Sequence, residues 1–234
     1  MWWRLVLVVG AACGRIGFEP IDRDSGSDSM GVAPSGLLLH FEFEPGELLI
    51  DRAGGHNAMC NPCPTLTTDT RGSVGAFDGL SCMVVTDAPE LRPTAFSVTG
   101  WFLMTPNAGG GGAMFQRPLD GQNTATEAIE VYITSTSTSW GVNQQFVNEP
   151  ATSQNAWHFF AGTFDGNVAT LYLDAIMIGQ MSVGPITYLP GDRINIGCDY
   201  DFGSDLDWWD GRVDSLRFYD HALTATDVVT VMSL

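Results

Sequence analysis

The segment from Trp157 to Ala175, which has the sequence WHFFAGTFDGNVATLYLDA, constrains the fold most strongly. It contains two runs of aromatic and β-branched residues, Trp157–Phe164 and Val168–Leu173, joined by Asp-Gly-Asn. Such runs favour strands, and an Asp-Gly pair between them is typical of a tight β-turn. The segment therefore predicts a β-hairpin in the middle of the chain.

Short strand patterns recur between turn residues along the rest of the chain. Alternation is clearest in Leu37–Glu44, where Leu39, Phe41 and Phe43 share one side of the predicted strand. Helical periodicity is weak and confined to the residues after Ala222. Many short strands and almost no helix predict an all-β sandwich or jelly roll of two antiparallel sheets. The remaining predicted strands are Asn57–Cys60, Gly75–Asp78, Cys82–Thr86, Ser97–Met104, Ala128–Thr134, Trp140–Val142, Ala175–Val183, Arg193–Gly197 and Val213–Tyr219.

The charge of the chain excludes several functions. Its 234 residues include 27 acidic and 10 basic side chains, which gives a formal net charge of -17 at pH 7. Because phosphate binding needs clustered cations, we expect no nucleic-acid partner. Every cation is an arginine. Phosphate loops and Schiff-base chemistry that depend on a lysine are therefore excluded as well.

Six short motifs follow one another in an order that resembles LamG-like jelly-roll domains of the laminin-G, pentraxin and concanavalin A-like superfamily. The resemblance extends from Leu37 to Leu234. It implies a concanavalin A-like jelly roll and, since most characterised members bind rather than cut, a binding function. The motifs are Asp51–His56, Phe77–Gly79, the strand around Trp101, the hairpin, Ile194–Gly197 and Trp209–Tyr219.

The N-terminal residues have the outline of an export signal. Met1–Cys13 combines one arginine, an apolar run too short to span a bilayer, and small residues before a cysteine. The last four, GAAC, resemble a bacterial lipobox, which implies lipidation of Cys13 and an outer-membrane or cell-surface lipoprotein that meets the membrane only through its N-terminal lipid. A mis-started leader, or one cleaved without lipidation, is the alternative and would make the protein periplasmic or secreted. Residues 14–36, rich in Gly, Ser, Asp and Pro, predict a flexible linker before a domain at 37–234.

Four cysteines follow the leader. In an exported protein they predict disulfides. The Cys60-x-x-Cys63 pair suits zinc, but a second such pair is missing from the sequence. Four cysteines allow three pairings, which the sequence does not distinguish. Our preferred pairing joins Cys63 to Cys82 and Cys60 to Cys198.

Carboxylates are densest directly after the strand predicted at Arg193–Gly197. Like charges this close need solvent or a cation, and carboxylate oxygens suit calcium. An EF-hand is excluded because Ser204 stands where its glycine is required. The sequence therefore predicts either a calcium site or a solvated acidic loop. The carboxylates are Asp199, Asp201, Asp205, Asp207, Asp210 and Asp214.

The same loop, Ile196–Gly203, resembles the calcium loop of pentraxins, in which carboxylates and a Phe-Gly follow a strand. The resemblance implies that Asp199 and Asp201 are calcium ligands. Pentraxins supply an Asp-Asn pair from a second loop, and the corresponding loop here offers Asp120 and Asn123, which are not adjacent. These four residues are the predicted metal ligands.

Aromatic residues flank the acidic loop. Aromatic faces cover the C–H groups of sugars while carboxylates accept hydroxyl hydrogens. We expect Tyr200, Trp208 and Asp205 to contact carbohydrate, with burial of a sheet edge as the alternative role of Trp208. Trp209 has the opposite parity and takes the place of a family phenylalanine, so we assign it to the core. Three further tryptophans in strand patterns are assigned to the core: Trp101, Trp140 and Trp157.

An enzymatic role has little support in the sequence. Glycosidases of this fold use alternate carboxylates of one strand as nucleophile and acid. Asp205–Asp210 has that spacing, but in another part of the chain and without a glutamate. Glu127 and Glu130 have opposite parity, so they are expected to face apart. We therefore predict a module that binds carbohydrate or a surface protein, assisted by calcium if the acidic loop is a calcium site. The alternatives are a glycoside hydrolase and an adhesive module.

Overall fold

The structure is a computed structural model that describes residues 32–106, 111–118, 127–188 and 193–234. The predicted leader with Cys13 lies outside these ranges, as do most of the predicted linker, Asp120 and Asn123. None of the helices in these ranges is long and apolar enough to span a membrane.

Strands dominate the described residues. One 3-10 turn, at Pro89–Leu91, interrupts them, and one α-helix follows the last strand. In chain order the elements are β1 (Leu37–Phe41), β2 (Met59–Cys60), β3 (Thr65–Asp69), β4 (Gly72–Asp78), β5 (Met83–Thr86), β6 (Phe96–Met104), β7 (Gly111–Pro118), β8 (Glu127–Thr134), β9 (Ser137–Val142), β10 (Gln145–Pro150), β11 (Trp157–Phe164), β12 (Val168–Leu173), β13 (Ile176–Ser182), β14 (Arg193–Ile196), β15 (Asp199–Asp201), β16 (Ser204–Leu206), β17 (Asp210–Tyr219) and α1 (Ala225–Met232).

The strands form two large antiparallel sheets and one small hairpin. The larger sheet has the order β13-β12-β11-β6-β17-β4-β3, with β1 also paired to β17. The smaller sheet has the order β10-β9-β8-β7-β14-β5-β2, and β15 pairs with β16. The predicted central hairpin is confirmed, with β11 and β12 at the expected bounds. The prediction of an all-β sandwich of two antiparallel sheets is therefore correct.

The core lies between the two sheets and is rich in aromatic rings. Trp140 of the smaller sheet packs edge-on against Phe96 and Phe160 of the larger one, with both pairs of ring centroids 6.0 Å apart. Gly162 makes room for it, because a Cβ there would lie 2.4 Å from the indole ring. Trp140 and Trp209 are fully buried, as predicted.

The outer face of the larger sheet carries a second apolar cluster. Val228 and Val231 of α1 pack there against Phe159 of β11. The prediction that Trp101 and Trp157 belong to the core is wrong, because strand alternation places both indoles on this outer face, half-buried beside Arg71.

Both disulfides differ from the preferred pairing. Cys60 is bonded to Cys63, and Cys82 to Cys198. The reason is the register of β5 and β14. Ile196 lies opposite Met83, so Cys82, next to Met83, and Cys198, two residues after Ile196, come together with their Cα atoms 5.5 Å apart. Sequence spacing does not reveal this long-range register.

Candidate functional site

A polar row crosses the outer face of the smaller sheet. Glu130 of β8 lies opposite Gln116 of β7, which in turn lies opposite Asn195 of β14. Residues directly opposite each other on paired strands point to the same face of the sheet. The neighbouring Val131 belongs to the core between the sheets, so Glu130 points the other way. The face turned away from the core therefore carries polar side chains that lie in a line.

A β-bulge brings Glu127 to the same side as Glu130. Ile129 pairs with Arg117, but the next pairing joins Glu127 to Pro118, so Ala128 is an extra residue in β8. An extra residue resets the alternation of a strand. Ala128 and Ile129 both face the core, and the two glutamates line one cavity. The prediction that they face apart is wrong for this reason.

The β15–β16 hairpin contributes two aspartates to this cavity. Asp199 and Asp201 are two residues apart in β15, so they share a face of the hairpin. Only 3% and 9% of their surfaces are exposed. One oxygen from each of them and one from Glu127 all lie within 4.8 Å of one another. The two aspartates predicted as metal ligands are thus brought together, with Glu127 as a third carboxylate that was not among the predicted ligands.

These carboxylates line a cavity of about 430 Å³, here called the acidic cavity. Phe146 forms part of its wall and covers Gly141, where a Cβ would lie 2.5 Å from the ring. Ser139 donates a hydrogen bond of 2.7 Å to Asn148. The full lining is Glu127, Glu130, Tyr132, Ser137, Ser139, Phe146, Asn148, Asp199, Asp201 and Asp207.

Burial and mutual repulsion raise the pKa values of three carboxylates that line the acidic cavity. Burial raises the pKa of Glu130 to about 9, and the charges of Glu127, Asp199, Asp201 and Asp207 add to this effect. Burial and the charge of Asp201 raise the pKa of Asp199 to about 7, although the Tyr200 N–H lowers it. Burial and Asp201 also raise the pKa of Glu127. A positive charge among these carboxylates would therefore be favourable, because it stabilises their ionised forms.

Tyr200 and Asp205 lie on the opposite face of the hairpin and outside the lining of the acidic cavity. They are cross-strand partners. Arg193 contacts both side chains. Its guanidinium carbon is 3.6 Å from the centre of the Tyr200 ring, and it forms an ion pair with Asp205. The structure therefore places two of the predicted sugar contacts in an intramolecular cluster.

Trp208, the third predicted sugar contact, lines a second cavity of about 440 Å³, here called the tryptophan cavity. Asp207 lines both cavities. Sequence reasoning considered Glu127 and Glu130 but expected them to face apart, and it missed Tyr132, Phe146 and Asn148. The usable signal was the pair of glutamates at the start of a predicted strand.

The comparison with known families agrees with this architecture. A laminin-G family model, described as the concanavalin A-like lectin/glucanases superfamily, matches residues 78–229. The chain therefore belongs to this superfamily, which confirms the resemblance seen in its motifs. Among curated proteins, none matches the sequence.

Solved structures show the same fold at low sequence identity. Domain 4 of an extracellular arabinanase from Geobacillus stearothermophilus, in complex with arabinotriose, has a TM-score of 0.66 and 14% identity over 84% of this chain and 98% of that one. The binding domain of botulinum neurotoxin DC, in complex with rat synaptotagmin II, has a TM-score of 0.63 and 14% identity over 85% of this chain. Botulinum neurotoxin type C, whose cell entry depends on two ganglioside molecules, has a TM-score of 0.63 and 13% identity over 85% of this chain. This chain covers only 51% of each of the two toxin chains.

Proposed function

We propose that the domain binds carbohydrate in the acidic cavity with the help of a calcium ion held by Glu127, Asp199 and Asp201. The observation that carries the proposal is the convergence of these three buried carboxylates within 4.8 Å. Their charges repel one another in a partly desolvated place, and a divalent cation removes that repulsion. Calcium favours six to eight oxygen ligands, so three carboxylates leave positions for water or for ligand hydroxyls.

The rest of the acidic cavity suits a sugar. Tyr132 and Phe146 offer aromatic surface, and Ser139 and Asn148 offer hydrogen-bonding groups beside the carboxylates. The volume of about 430 Å³ is within the usual range of small-molecule sites. Similar folds are seen in complex with arabinotriose and in a toxin that depends on gangliosides, which supports carbohydrate as the ligand class.

Export to the cell surface is part of the proposal. The disulfides Cys60–Cys63 and Cys82–Cys198 suit an oxidising compartment. The lipobox-like GAAC sequence supports lipidation of Cys13. We expect the full chain to partition into membranes when it is produced in a bacterial host, and the Cys13→Ser variant to be recovered in the aqueous fraction. Detergent phase separation measures this, and a wild-type chain found in the aqueous phase would exclude the anchor.

Calorimetric titration of calcium into the chelator-treated full chain tests the cation part of the proposal. We expect one binding event, weakened at least tenfold in Glu127→Gln and in Asp201→Asn, because each change removes an anionic ligand. Asp205→Asn is the matched control. It lies on the same hairpin but faces Arg193, so its calcium affinity should equal that of the wild type.

A glycan array read with calcium and with chelator tests the ligand. Glycan signals that disappear in chelator and in Glu127→Gln support the proposal. Absence of calcium binding overturns the cation part. Calcium binding without any glycan signal overturns the carbohydrate part and favours a surface-protein or adhesive role.

Hydrolysis is a second candidate because Glu127 and Glu130 line one cavity and the pKa of Glu130 is raised to about 9. A protonated carboxylic acid beside an ionised one is the arrangement that glycosidases use. Release of reducing sugar from array-positive glycans, lost in Glu130→Gln, would assign this activity. Stable binding without such release favours the binding module.

A further inference from the structure

The tryptophan cavity adjoins the acidic cavity through one residue. Asp207 lines both, and it is the last residue before Trp208 in the segment between β16 and β17. The volumes are about 430 and 440 Å³, each within the range of a ligand site. The two cavities are therefore neighbours that share Asp207 as a lining residue.

The backbone around Trp208 is fixed against the smaller sheet. The Asp207 carbonyl accepts a hydrogen bond of 2.9 Å from the Ala113 N–H, and the Trp209 N–H donates one of 2.9 Å to the Gly197 carbonyl. A Cβ at Gly112 would lie 2.5 Å from the Trp208 carbonyl carbon, so the two backbones are in direct contact. The Trp208 indole is therefore presented from a rigid support.

The side chains of the tryptophan cavity combine apolar surface with acceptors. Trp209 is fully buried in the core, whereas Trp208 is half-buried and lines the cavity. Leu80 of the same cavity is 64% exposed. Asp78 and Asp210, which are cross-strand partners, lie beside them. This mixture of an indole, an exposed leucine and carboxylates suits the C–H faces and hydroxyl groups of a sugar.

We propose that the ligand is a neutral oligosaccharide that spans both cavities, with one sugar in the acidic cavity, the next against Trp208, and Asp207 between them. This inference rests on the proposed function and adds the size and charge of the ligand. Two sites that meet at one residue suit consecutive units of one chain. The carboxylates of the tryptophan cavity, on a protein of net charge -17, repel sialylated or uronic glycans.

Binding of the full chain to arrayed neutral mono-, di- and trisaccharides and their sialylated counterparts, in calcium, tests the inference. We expect neutral di- and trisaccharides to bind at least tenfold more tightly than monosaccharides, and sialylated forms to bind more weakly than neutral ones. Trp208→Ala should reduce trisaccharide binding to the monosaccharide level, because the stacking surface is lost. Trp208→Phe, which keeps an aromatic face, should restore most of it.

Calcium titration separates this inference from the function on which it rests. Trp208→Ala should bind calcium as the wild type does, since the indole lies outside the acidic cavity. If Trp208→Ala binds trisaccharides as tightly as the wild type, or if monosaccharides bind as well as trisaccharides, the two-cavity inference is wrong while the proposed function stands. If the wild type gives no glycan signal, both are overturned.

Discussion

In the presence of a chelator, the free energy of unfolding should fall by on the order of 4 kcal/mol as the pH rises from 5 to 8. Glu130 is the main cause, since burial and the neighbouring carboxylates raise its pKa from 4.5 to about 9. Between these values the folded state binds a proton that the unfolded state has released. Each pH unit in this window therefore costs about 1.4 kcal/mol of stability. Asp199, with a pKa raised to about 7, adds to the loss.

This fall in stability with rising pH is opposite to the effect of an ordinary ion-paired acid, whose contribution is lost as the pH falls. Stability due to a raised carboxyl pKa is fully present below the unfolded value and is lost as the pH rises through the folded value. Glu42 acts in the opposite sense. Burial alone would raise its pKa, but the hydrogen bond and charge of His40 and the charge of Arg217 lower it to about 2. The stability that Glu42 contributes is lost only as the pH falls from about 4.5 towards 2. This range lies below pH 5, so Glu42 does not mask the effect of Glu130.

Urea unfolding at several pH values measures the effect. Glu130→Gln cannot ionise and should flatten most of the slope between pH 5 and 8. Glu149→Gln is the matched control, because it makes the same side-chain change in β10, outside the lining of the acidic cavity. Calcium should also flatten the slope if it neutralises the cavity. A wild-type slope that Glu130→Gln leaves unchanged would contradict the assignment to Glu130.

The fold was predictable because its strongest signals are local. The hairpin of β11 and β12 depends on strand propensity and one turn, both visible in nearby residues. The pairing of cysteines was not predictable, because it depends on the register of β5 against β14, which are far apart in sequence. Side-chain alternation assigns Trp209 to the core correctly, whereas Trp101 and Trp157 occupy the outer positions of their strands.

The candidate site was predictable only in part for a related reason. Asp199 and Asp201 share a face because they alternate within one strand, so local sequence was enough. Glu127 joins them because of the bulge at Ala128. The position of this bulge cannot be recognised from the alternation of polar and apolar residues in the sequence. Tyr200 and Asp205 were assigned to the ligand, but they lie on the other face of the hairpin with Arg193.

The Cys82–Cys198 disulfide should contribute more to stability than the Cys60–Cys63 disulfide. It closes a loop with a sequence separation of 116, against 3 for the other bond, and the entropy that a cross-link removes from the unfolded chain grows with loop length. Replacing both cysteines of the long-range bond with serine should cost about 2–5 kcal/mol. For a chain of this size that lowers the melting temperature by roughly 4–20 °C.

The same bond should also affect the acidic cavity. Cys198 directly precedes Asp199, and Cys82 directly precedes β5, so the disulfide holds the start of the β15–β16 hairpin against the smaller sheet. We expect the C82S/C198S double variant, kept well below its melting temperature, to bind calcium several-fold more weakly. The C60S/C63S double variant should lose little stability and keep wild-type calcium affinity. Thermal unfolding and calorimetry of the two variants in parallel measure both effects, and equal losses in the two would show that the long-range bond does not position Asp199.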